Sequence, residues 1–114
     1  MSGQCKQLSD TNLTAHLTAT TQPALVGFMA DCCGTCHILE PMLRRLARCY
    51  AGSLQAYVLD VENFPTTKAL YRIYQLPTLL LFEKGALVDQ YVGLVTEKEL
   101  TNRLDQLVKA SQEQ

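Results

Sequence analysis

Cys33-Gly34-Thr35-Cys36 places two thiols three residues apart, between an apolar run and a helical pattern. At a helix start, unpaired N–H groups and the helix dipole stabilise a thiolate on the first cysteine. The second lies one turn on, close enough to close a disulfide. The chemistry open to such a pair is thiol–disulfide exchange. Attack by Cys33 on a disulfide gives a mixed disulfide, and attack by Cys36 on that bond releases the product. Half of a zinc site has the same spacing, but structural zinc normally takes a second pair of ligands. The sequence has no second CxxC and no HxxxH.

The other thiols carry weaker signals. Cys32 directly precedes the motif. It reads either as a small apolar residue or as a third thiol: an alternative resolving group, a glutathionylation site or a soft-metal ligand. A Cys32–Cys33 bond would close a small strained ring, so Cys33–Cys36 is the expected pairing among the three. Cys49 falls on an apolar helical stripe and is expected in the core. Cys5, near a polar terminus, reads as an exposed spare thiol. His37 follows Cys36 and reads as a solvated helix residue or as a modest electrostatic influence on the thiolates. His16 and the Arg44, Arg45 and Arg48 group read as solvated surface.

The elements that must position these residues are legible from periodicity. Ala24–Met29 is a short apolar run that predicts a buried strand. Leu39, Met42, Leu43, Leu46, Cys49 and Tyr50 recur at steps of three and four, which predicts an amphipathic helix with Pro41 kinking it and Gly52 ending it. Ser9-Asp10-Thr11 before Leu13 and Leu17 predicts a short capped helix. Leu54–Leu59 predicts a strand and Pro65–Tyr71 a short helix. Thr78–Phe82 and Leu87–Val92 flank Glu83-Lys84-Gly85-Ala86, a hairpin signature. Thr96 with Glu99 forms a capping box for a last helix striped by Leu100, Leu104, Leu107 and Val108. A weak strand is expected near Cys5–Leu8. Strands alternating with helices and ending in a hairpin give an α/β fold, a mixed sheet covered on both faces.

Composition excludes several classes. The 114 residues suit one domain, with a core expected over about 8–108 and short frayed termini. Ten basic residues against eleven acidic ones leave no field to hold nucleic acid or an anionic membrane. No apolar run approaches the roughly 18 residues of a membrane span. Five cysteines lie below the roughly 8–10% of a disulfide scaffold, and the odd count leaves at least one without an intrachain partner. The polar Met1–Asn12 segment has no signal-peptide core, so the expected compartment is the reducing cytoplasm.

Several spaced motifs together resemble the thioredoxin family. Leu25-Val26-Gly27-Phe28-Met29-Ala30, Cys33-Gly34-Thr35-Cys36 and Pro41 resemble its strand, redox motif and kinking proline. Leu76-Pro77-Thr78-Leu79-Leu80-Leu81-Phe82 resembles its cis-proline loop and following strand, and Gly85 and Gly93 fall at its glycine positions. The resemblance runs from about Leu8 to Leu104. It implies a thioredoxin-like fold with a central sheet of four or five strands. It implies Cys33 as exposed nucleophile, Cys36 as buried resolving thiol, a cis Pro77 against the disulfide, and Leu76 offering backbone groups to an extended substrate.

The departures are specific. Cys32 stands where the family usually has Trp, Thr35 where it has Pro, and Met29 where it has a second Trp; the chain contains no Trp. Gly27 replaces a buried Asp, and Val58 replaces the Lys that accompanies it. The expectation is an atypical thioredoxin-like protein-disulfide reductase, acting as a monomer on disulfide-containing proteins and regenerated by a thioredoxin reductase or equivalent donor. It needs no bound cofactor, since the dithiol carries both electrons. The alternatives are an oxidant or isomerase using the same site, or a non-catalytic metal-binding or redox-sensing module using Cys32, Cys33 and Cys36.

Overall fold

A run as apolar as Ala24–Met29 has to be covered on both faces. The computed structural model, which describes residues 13–31 and 33–112, makes it an inner strand, β1, with every residue buried. On one side β1 pairs in parallel with β2 (Gln55–Asp60); on the other it pairs antiparallel with β3 (Thr78–Glu83). β4 (Ala86–Val92) completes the sheet antiparallel to β3, giving the order β2-β1-β3-β4. The expected strand near Cys5–Leu8 lies outside the described residues.

Alternation along β1 divides the core in two. Ala24, Val26 and Phe28 face a cluster with Leu13 and Leu17 of α1 (Leu13–Ala19), together with Tyr57, Leu59, Phe64, Ile73, Leu80 and Phe82. Phe64 and Ile73 bracket α3 (Pro65–Leu70). Leu25 and Met29 face the opposite cluster, built with α2 (Cys36–Cys49) and α4 (Glu97–Gln112). α2 continues through Pro41 and buries Cys36, Leu39, Met42, Leu43, Leu46 and Ala47.

Local chemistry fixes the ends of these elements. The β3–β4 connection is the two-residue turn Lys84-Gly85, with φ of 55° and 83°. Positive φ at both positions is what a tight hairpin matching the strand twist requires. Thr96 accepts the Glu99 amide on its Oγ1 at 3.1 Å, which is half of the predicted capping box. α4 is fastened to α2 by Tyr50 Oη donating to Asp105 at 2.5 Å and by the Arg45–Glu97 ion pair at 2.5 Å.

The structure corrects one core assignment: Cys49 is exposed, not buried. It is the last residue of α2 and lies on one edge of the arc that Leu39, Leu43 and Leu46 centre. The burial shifts to Ala47 on the arc's other edge.

Candidate active site

The chain leaves β1 at Met29, turns, and enters α2 at Cys36. The turn is hydrogen-bonded: Cys33 N–H donates to Ala30 O at 3.1 Å, and Cys36 N–H to Cys33 O at 3.2 Å. This brings the Cα atoms of Cys33 and Cys36 to 5.3 Å, within disulfide reach, and the two sulfurs are bonded. Cys33 is half-buried, whereas Cys36 is only 2% exposed. An incoming disulfide has access to Cys33.

The helix begins three residues after Cys33, yet its first amide reaches that sulfur. The Cys36 N–H donates to Cys33 Sγ at 3.3 Å. Thr35 occupies the N-cap position, where a hydroxyl ordinarily accepts an amide of the first turn. Here it makes no cap hydrogen bond, and its Oγ1 lies 3.4 Å from Cys33 Sγ instead. Both groups can donate to a Cys33 thiolate once the disulfide opens, and charge strengthens such bonds. Gly34 is exposed, and a Cβ there would meet nothing within 4 Å. Cys32 lies outside the described residues.

The other side of the disulfide is apolar. Gly27 and Val58 are register partners across the β1–β2 ladder. A Cβ on Gly27 would come within 2.7 Å of Leu43 Cδ1, 3.1 Å of Met29 Cε and 3.3 Å of Leu79 Cδ2. Aliphatic side chains therefore fill the space of the acid that the resemblance leads one to expect. Polar groups lie instead around a cavity of about 410 Å³ that Cys36 lines, together with Asp31, His37, Glu40, Asp60 and Asn63. Asp60 lies two residues beyond Val58, on the same sheet face. That alternation assigns Asp60 to its face from sequence, while its meeting with Cys36 across the cavity depends on the β1–β2 register. His37 is exposed, with its Nε2 3.4 Å from the Asp31 carbonyl oxygen.

The Leu76–Pro77 peptide is cis, and Pro77 is buried. The Gly93 N–H donates to Pro77 O at 2.8 Å, tying this loop to the end of β4. Cys33 and Leu76 pack against the same core cluster that contains Cys36. No hydrogen bond among the described residues uses the Leu76 backbone.

A mixed sheet with a disulfide of unequal exposure at the mouth of a helix defines a thiol–disulfide redox domain. Comparison with known proteins makes the assignment specific. The thioredoxin family profile matches residues 4–106. The chain is 35% identical over 106 residues to "Thioredoxin 2" of Chlorobaculum tepidum, covering 93% of this chain and 97% of that one. It is 34% identical over 105 residues to a thioredoxin of Acidithiobacillus ferridurans, covering 92% and 97%. Among solved structures, a point-mutant thioredoxin from Halobacterium salinarum superposes with a TM-score of 0.85 at 26% identity, over 93% of this chain and 92% of that one. The chain belongs to the thioredoxin family and is a thiol–disulfide oxidoreductase. Among the described residues no helix is long and apolar enough to cross a membrane.

Proposed function

We propose that the chain reduces protein disulfides through Cys33 and Cys36 by way of a mixed disulfide. The observation that carries this reading is the unequal burial of two bonded sulfurs, with the Cys36 amide and the Thr35 hydroxyl on the more accessible one. In the reduced protein the Cys33 thiolate attacks one sulfur of the target's disulfide. That bond breaks, the departing sulfur takes a proton, and Cys33 becomes linked to the target. Cys36, deprotonated, then attacks Cys33. The target's second thiol leaves, and the Cys33–Cys36 bond closes. The target has gained two electrons and two protons, and the dithiol has supplied them.

Leu76 is the residue to hold an extended target strand by its backbone, beside the buried Pro77; its unpartnered position next to the cluster holding Cys33 supports that role. The single domain acts as a monomer in the cytoplasm, and a thioredoxin reductase or equivalent donor restores the dithiol. The test is direct. Cys33→Ser abolishes insulin disulfide reduction, whereas Cys36→Ser accumulates mixed disulfides on Cys33, read by mass spectrometry. Parent-level activity in Cys33→Ser would sink the assignment.

One observation favours the opposite direction of flow, in which the Cys33–Cys36 disulfide takes two electrons and two protons from a target dithiol and leaves the target oxidised. The Thr35 hydroxyl beside Cys33 Sγ stabilises the thiolate, and a stabilised thiolate makes the disulfide a better oxidant. Equilibration of the Cys33–Cys36 pair with glutathione buffers distinguishes the two directions. A potential near that of protein disulfide isomerase supports oxidation or isomerisation, and one near that of thioredoxin supports reduction.

A further inference from the structure

Resolution of a mixed disulfide needs the Cys36 proton to go somewhere, and Gly27, where the resemblance leads one to expect a carboxylate, supplies no acceptor. Burial disfavours a thiolate. Gly27 carries no side chain, and Leu43, Met29 and Leu79 close around it. Cys36 instead borders the cavity of about 410 Å³ whose wall includes His37. A cavity of that size with several polar walls admits solvent.

We propose that His37, acting through solvent in this cavity, is the proton acceptor for the Cys36 thiol during resolution. The inference rests on the disulfide-exchange reading above. The geometry selects the competent nitrogen. His37 Nε2 is 3.4 Å from the Asp31 carbonyl oxygen, and a carbonyl can only accept. Nε2 therefore carries the hydrogen, and the neutral ring presents Nδ1 as a lone-pair acceptor. Histidine is the side chain whose ordinary titration range spans neutral pH, where general-base efficiency is greatest.

Asp31 on the loop, Glu40 on α2 and Asp60 at the end of β2 share the cavity, with neutral Asn63 beside them. Glu40 is the poorest competitor as a base, because Arg44 binds its Oε2 at 2.6 Å. Asp60 directs its Oδ1 to the Glu62 amide at 2.9 Å. In the step itself, Nδ1 takes the Cys36 proton and the thiolate attacks Cys33. The bond from Cys33 to the target breaks, and the departing target thiolate receives a proton from the imidazolium. The ring returns to neutral, and no other reactant is consumed.

The experiment follows the full-length reduced protein after mixing with glutathione disulfide. Samples are acid-quenched and alkylated, and peptide mapping gives the Cys33–glutathione adduct and the Cys33–Cys36 bond against time. In the parent, the resolution rate falls as pH drops through an inflection in the imidazole range. In His37→Gln that inflection disappears, and the ratio of resolution rate to adduct-formation rate drops about tenfold or more near neutral pH. His37 is exposed, so the substitution spares the fold. A parent rate that rises as the imidazole protonates would mean a purely electrostatic influence and overturns the proposal. So does an unchanged ratio and inflection in His37→Gln. Loss of the inflection in Asp60→Asn with its retention in His37→Gln moves the role to Asp60 and overturns it as well. Absence of any Cys33 adduct in the parent overturns the disulfide-exchange reading beneath it, which is a different result from an adduct that forms and resolves without His37.

Discussion

Cys33 and Cys36 share a bond and occupy unlike surroundings. Around Cys33 the chain offers a helix amide at 3.3 Å, a hydroxyl at 3.4 Å and partial access to solvent. Cys36 is buried in one cluster with Leu39, Met42 and Leu43, the β1–β2 ladder pairs a glycine with a valine, and polar groups come only around the cavity that Cys36 lines. The difference orders the chemistry. On the exchange reading proposed above, donors and access favour attack by Cys33, while burial makes Cys36 the thiol that needs a base before it can resolve the mixed disulfide. The difference falls where the resemblance marks this chain's departures from the family's usual residues. Both sides of the disulfide are altered, by Thr35 above and by Gly27 with Val58 below, and the two alterations have separable consequences.

The largest expected effect lies below the disulfide. Gly27→Asp puts a carboxylate among Leu43, Met29 and Leu79, with its Cβ already 2.7 Å from Leu43 Cδ1. An unpaired buried charge costs about 3–5 kcal/mol, and urea denaturation should show a loss of that order. Gly27→Ala separates volume from charge: its crowding costs about 1 kcal/mol. Val58 lines the cavity, where a Lys can reach both solvent and the new carboxylate. Gly27→Asp with Val58→Lys should therefore regain part of the loss. Strict additivity of the two substitutions would break the claim that these positions form a pair.

Above the disulfide the expected effect is on redox poise. Thr35 has φ −71°, a value proline adopts without strain, so Thr35→Pro fits the backbone and removes the hydroxyl from Cys33. Losing one donor of roughly 1 kcal/mol from the thiolate moves the Cys33–Cys36 potential about 20–30 mV in the reducing direction. Thr35→Val, which keeps the branched shape, should move it the same way. Glutathione-buffer titration reads both. A shift toward the oxidising side, or none in either variant, would erase the contrast on the Cys33 side.

How much of this is legible in the sequence follows from which forces are local. The helix stripe, the Thr96 cap and the Lys84-Gly85 turn depend on neighbours within a few residues, and all three stand where periodicity and turn chemistry put them. The cis Leu76–Pro77 peptide is implied by the family resemblance, not by the residues themselves. Cys49 escapes its predicted burial because periodicity gives the direction of a stripe but not its width, which depends on what the partner elements cover. The cavity joining Cys36 to His37 and Asp60 is not legible in the sequence. It requires the parallel β1–β2 register that sets Met29 opposite Asp60, and register is a property of the folded sheet. At Thr35 the sequence shows a hydroxyl next to the redox motif; that it turns to Cys33 Sγ and leaves the helix cap empty is settled only by the folded turn.

The smallest effect tests whether the contrast is confined to the start of α2. Arg45 lies well along the helix from Cys36, about 13 Å at roughly 1.5 Å per residue. Its guanidinium hydrogen-bonds Glu97 and holds that carboxyl below its ordinary range. A carboxyl lowered on folding contributes stability that is present above its unfolded pKa and lost as pH falls through the folded one. The parent should therefore lose more stability than Arg45→Ala between about pH 5 and pH 3, and the two should differ by a small constant amount above that window. Both groups are solvent-exposed, so salt should shrink the difference further. Thermal melts across this range, at low and high salt, read the sign. The same variant should leave the Cys33–Cys36 potential where it was, since Arg45 touches neither sulfur's surroundings. A shift as large as that of Thr35→Pro would mean that charge along the whole helix sets the thiolate, and the division between the two sides of the disulfide would have to be redrawn.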